Sequence, residues 1–219
     1  MKKVTIVQLL LILFLSLVVS HEHMIYAKEP YWEEHRIVLS GLTDEQVQIL
    51  ESTMNQLISI EPGKLKIDKG VYRRLSRFNE LFGIPFRGKE LVQWLLSRIQ
   101  KISYHNVWTA AINQNQGTFI VGDIFFTKIN TIERLYLLVH EARHSDGDGY
   151  NHVKCPREFK FVSAAQPDLD LELEPSCDAR RNGAYAFQSA FLFEIYAYGL
   201  MDQKEAGLLY NSSVSRVIP

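Results

Sequence analysis

At 219 residues, with 47% hydrophobic and 22% charged positions, the chain is long enough for one domain with a sizeable core, and its composition excludes disorder as the main state. Its 24 basic and 25 acidic residues give a net charge of −1 with no basic block, which argues against a nucleic-acid partner.

The chain starts with two cations, Lys2 and Lys3, ahead of an apolar run over residues 4–19 that is interrupted only by Gln8 and Ser16. Residues 1–20 therefore read as a secretory signal peptide, with Val18 and Ser20 as short residues before a cut at His21. Left uncleaved, the same run is a membrane anchor. No other membrane contact is expected. The predicted location is accordingly periplasmic or secreted, and an exported chain meets an oxidising compartment. Cys155 and Cys177, the two cysteines, are then expected to pair as a disulfide, since their spacing is not that of a CxxC metal site.

Residues 21–42 read as an irregular lead-in and 43–219 as one domain of α+β class. Thr43 and Gln46 form a capping-box pattern that opens a helix, with Val47, Leu50, Met54, Leu57 and Ile58 on one face. Further helices are predicted over 72–83, stopped by Gly83 and Pro85, and over 89–102. The pattern then changes. "YHNVWTAAI" and "TFIVGDIFFT", joined by "NQNQG", read as two β-rich runs in a hairpin. Asn130 with Glu133 repeats the capping-box pattern ahead of "TIERLYLLVHEARH", and Gly147 and Gly149 supply the stop. A last helix, apolar all round and therefore buried, is predicted within residues 177–200.

The chemistry concentrates in "HEARH". His140 and His144, four residues apart on a helix, lie one turn apart on one face, so their nitrogens can reach the same ion. Glu141 stands beside the first of them, where a carboxylate can take the proton of a water that zinc has acidified.

These five residues resemble the hallmark of the zincin metalloproteases, and the resemblance extends loosely over residues 117–200. It implies a zincin-like fold in which the β-hairpin or small sheet, the HExxH active-site helix and the buried carboxy-terminal helix follow amino-terminal helices that add nothing to the resemblance. It also implies zinc held by His140 and His144, Glu141 as general base, a peptide or protein substrate, and a substrate-binding strand in "TFIVGDIFFT". The metzincin branch continues HExxHxxGxxH. Here "HEARHSDG" matches as far as Gly147, but Tyr150 stands where the third histidine belongs and His152 follows two residues later. The gluzincin branch takes its third ligand from an ExxxD pattern, which "EPSCD" supplies as Glu174 and Asp178. A disulfide between Cys155 and Cys177 would bring Asp178 toward His152, so one could ligate while the other orients an imidazole. The third ligand is thus open between His152, first by ligand chemistry, and Asp178, with Glu174 behind them.

Tyr150 is a candidate donor to a developing oxyanion, whereas Tyr185, on the apolar helix, is expected in the core. The reading is an exported zinc metallopeptidase. Its rivals are a zinc amidase acting on a non-peptide amide and a noncatalytic envelope binding or assembly protein whose metal is structural. Four protein ligands would favour the last.

Overall fold

The computed structural model describes residues 31–218, apart from positions 108, 116, 160 and 163–168. The expected signal peptide and residues 21–30 of the lead-in lie outside the described residues. The remainder of the lead-in is part of the fold: helix α1 (Tyr31–Glu34) buries Tyr31 and Trp32, and strand β1 (Val38–Ser40) joins the main sheet.

Helix α2 (Asp44–Ile58) starts at the predicted capping box. Thr43 accepts from the Gln46 amide, and the Gln46 side chain accepts from the Thr43 amide. Leu50, Met54 and Leu57 turn its apolar stripe into the core. The expected helix over 72–83 is two short ones, α3 (Lys69–Leu75) and α4 (Phe78–Phe82). Ser76 leaves helical geometry between them at ψ 122, and its hydroxyl donates to Glu194. Helix α5 (Gly88–Leu96) ends six residues before the expected limit. Residues 101–104, which carry the end of that helical pattern, form strand β2 (Lys101–Tyr104) at the centre of the sheet.

The predicted hairpin is present as β3 (Ala111–Asn115) and β4 (Thr118–Val121), antiparallel to each other. It is shorter than expected, because after Gly122 the chain turns into helix α6 (Asp123–Thr127). The sheet order is β1-β2-β4-β3, with β1, β2 and β4 parallel and β3 an antiparallel edge. Since β4 is hydrogen-bonded on both sides, its backbone cannot accept a substrate strand, which corrects the role expected of "TFIVGDIFFT". The edge strand beside the motif helix is β3.

Helix α7 (Thr131–His144) carries the motif, opened by the predicted Asn130–Glu133 capping box. A single 3₁₀ turn (Asp148–Tyr150) then leads to β5 (Val153–Lys154), which pairs antiparallel with β6 (Pro175–Cys177). Residues 177–183, expected to begin the last helix, are strand end and turn instead, because Cys177 is tied to β5 and Asp178 pairs with the carboxy-terminal segment. The buried helix α8 (Ala184–Tyr198) packs between α7 and α9 (Gln203–Val214). One apolar core joins α2, α5, α7 and α8 to Ile102, Phe119 and Val121 of the sheet. A second, smaller one gathers Leu171, Phe159, Phe161 and Ile218 around the Cys155–Cys177 disulfide. No helix among the described residues is long and apolar enough to cross a membrane.

Candidate metal centre

Helix α7 presents His140 and His144 from its last turn and stops there. Its end is capped by the Ser145 amide donating to the carbonyls of Ala142 and Arg143. Gly147, at φ 121, turns the chain in a conformation that favours glycine. The returning chain then delivers His152 to the same place. Three imidazoles converge: the His140 and His152 Nε2 atoms lie 3.0 Å apart, and those of His144 and His140 3.3 Å apart. Nitrogens bound to one tetrahedral ion at about 2.0–2.1 Å stand about 3.3 Å from one another. All three offer a ligand atom within 4.8 Å of the others, so the cluster could hold a metal ion. The extra two residues before His152, relative to the metzincin spacing, are absorbed by the 3₁₀ turn.

The electrostatics favour neutral, ligand-competent imidazoles. Burial, then the neighbouring His152 and His144, hold His140 well below the usual imidazole range. Burial and His152 lower His144 to about 4. Outer groups stand at the rings, the Gln188 side chain at His140, the Tyr150 backbone at His144 and the Asp178 carboxylate at His152 Nδ1. Three rings with their Nε2 atoms facing one another form a costly arrangement unless something is bound at the centre. The donor set is thus one that fits a divalent metal.

Asp178 stands behind His152 rather than in the nitrogen cluster. Its Oδ1 is 3.4 Å from His152 Nδ1, and its Oδ2 accepts from the Ala186 amide in the first turn of α8. The carboxylate is 2% exposed and is seated by a close approach, since a Cβ on Gly183 would fall 2.4 Å from its Cγ. This geometry separates two residues that the sequence left as alternatives: His152 is with the other imidazoles and Asp178 faces its far nitrogen. Glu174 is exposed, just before β6, and its carbonyl accepts from the Cys155 amide. The disulfide is formed, with the two Cα atoms 5.1 Å apart, and it links the strand after His152 to the residue before Asp178.

Glu141 is buried beside the cluster. Its carboxylate accepts from the Asn113 amide of β3 at 2.7 Å, and the Asn113 side chain donates to the Glu141 carbonyl and to Ser145. Burial pushes the carboxyl up to about 7, against the Asn113 hydrogen bond. Arg143 is buried and paired with Asp146, which it shares with Arg98. Its guanidinium lies 3.5 Å from the centre of the Tyr150 ring, with Arg180 also near that ring.

The tyrosine packed on the histidines is not Tyr150 but Tyr185, whose ring centre is 4.5 Å from that of His140 and 4.7 Å from that of His152. Arg216 donates to its hydroxyl. Tyr185, expected in the core, lies at the site, and Asn113 and Arg216 have no signal in the sequence, since each reaches the site from an element distant along the chain. Comparison of the chain with protein-family models, with curated proteins and with solved structures gives no match.

Proposed function

We propose that the chain is an exported, zinc-dependent hydrolase of zincin type that cleaves peptide bonds. The observation that carries this reading is a buried carboxylate, Glu141, beside three converging imidazole nitrogens. Asp178 lies on the outer side of His152, so three protein nitrogens meet and no fourth His, Cys, Asp or Glu among the described residues joins them. That layout supports catalysis over a closed structural site. The disulfide supports export.

Zinc held there would supply Lewis acidity toward a carbonyl and toward a water. His140, His144 and His152 are its ligands, and Asp178 orients His152 through Nδ1. Glu141, with one oxygen held by Asn113, accepts the proton of the attacking water on the other and passes it to the leaving amine. Tyr185 receives its hydrogen bond from Arg216, which leaves its own hydroxyl proton to donate to the carbonyl oxygen as charge develops.

The test pairs metal content with turnover. The purified mature chain should bind one zinc, His152→Ala should lose it, and Glu141→Gln should keep the metal while peptide hydrolysis falls about 10²–10⁴-fold. A zinc-supplemented chain that carries no metal would sink the reading. Full activity in Glu141→Gln would exclude the assigned base.

A further inference from the structure

We propose that Arg216 forms a carboxylate subsite next to the three histidines, so that the substrate carries a negative charge a few bonds from the group held there. The inference rests on the metal-site reading above and adds to it the chemical class of the ligand.

Arg216 lies just after α9, and its backbone is fixed by the residue that backs His152. Its carbonyl accepts from the Asp178 amide, and the next residue but one, Ile218, donates back to the Asp178 carbonyl. The side chain is half-buried, with its guanidinium carbon 4.4 Å from the centre of the Phe161 ring and 4.7 Å from that of Tyr185. Since the Tyr185 ring in turn rests on His140 and His152, a single aromatic ring separates the positive charge from the imidazoles.

This cation has no counter-ion among the described residues. Among the described residues Arg143 and Arg98 share Asp146, and Arg77 pairs with Glu80, but no carboxylate forms a salt bridge with Arg216. Its one hydrogen-bond acceptor among the described residues is the neutral Tyr185 hydroxyl, and its buried Nε has no partner there. Asp178, whose backbone pairs with that of Arg216, has Oδ1 facing His152 and Oδ2 accepting at the start of α8. A guanidinium offers five donors in a planar fork that matches a carboxylate, and a buried donor left unpaired, as Nε is here, is costly. A divalent ion at the histidines would make the region still more positive. A ligand with a carboxylate answers both charges at once.

The test uses hydroxamates that bind metal at one end and carry either a carboxylate or its neutral primary amide at the other, with spacers from malonic, succinic and glutaric acids. Calorimetry on the zinc-loaded chain should show at least one spacer at which the carboxylate probe binds tenfold or more tighter than its amide. Arg216→Gln should bring the two probes within about twofold of each other, with zinc stoichiometry unchanged. Arg216→Lys, which keeps the charge and loses the fork, should retain part of the preference and guards against a glutamine variant that does not fold. Equal binding of the paired probes at every spacer, or a preference that survives in Arg216→Gln, overturns the proposal. A chain that binds zinc but none of the hydroxamates removes the open metal site itself, a separate failure.

Discussion

Asp178 shows how much of the centre depends on a residue that is not among the converging nitrogens. One of its oxygens faces His152 and the other closes the start of α8, so the carboxylate fixes the third imidazole to the helix that also carries Tyr185. Outer partners of this kind typically account for 10–100-fold in metal affinity. Asp178→Ala should therefore weaken zinc by about that factor in competition with a chelator. Asp178→Asn, which can still accept from Ala186, should lose less. Gly183→Ala offers the same test without touching the carboxylate, because the new Cβ would meet Asp178 Cγ at 2.4 Å and displace it. It should resemble Asp178→Ala. If both variants hold zinc as the native chain does, His152 is oriented by something other than this carboxylate.

At the scale of the elements, buried polar groups decide where helices break. Glu194, on α8 and 0% exposed, accepts from the Tyr72 hydroxyl at 2.9 Å and from Ser76, and so ties the joint between α3 and α4 to the core helix. Burial raises its carboxyl above the usual range, against the two hydrogen bonds. With the folded value above the unfolded one, the folded chain holds a proton that the unfolded chain releases. The stability from this group is fully present below the unfolded value and is lost as pH rises through the folded one. Urea midpoints of the native chain should accordingly fall more steeply than those of Glu194→Gln as pH increases from about 4.5, the glutamine having no proton to lose. Parallel curves would mean that Glu194 is not strained by burial. The same contact explains what a helical pattern over 72–83 cannot convey: Ser76 leaves the helix for a partner 118 residues away. Strand β2 was illegible for a similar reason. The helical pattern over 89–102 is genuine as far as Leu96, but parallel pairing with β1 and β4 outweighs it at Lys101–Tyr104. What could be read locally held, as both capping boxes and the face of α2 show. In the centre likewise, the His140–His144 spacing is a property of one helix, whereas Asn113, Tyr185 and Arg216 are brought there by the sheet edge, the buried helix and the carboxy-terminal segment.

For the whole molecule, the Cys155–Cys177 bond couples stability to the metal centre. It closes a separation of 22 residues, worth about 3 kcal/mol in the chain-entropy account, or roughly 6–12 °C in the unfolding temperature of a domain this size. Its two ends also carry the site, with His152 three residues before one cysteine and Asp178 immediately after the other. Around it, Phe161 and Ile218 join the small core that also positions the guanidinium of Arg216. A ligand that binds the folded chain stabilises it in proportion to the logarithm of its affinity, so anything that loosens the site reduces the temperature shift zinc produces. Four melts resolve the coupling: the native chain and a Cys155→Ser, Cys177→Ser variant, each with zinc and with a chelator. The variant should melt lower in both conditions, and the zinc-induced rise should be smaller in it than in the native chain. Equal rises would confine the disulfide to general stability and leave the turn between Gly147 and His152 to hold the third imidazole unaided.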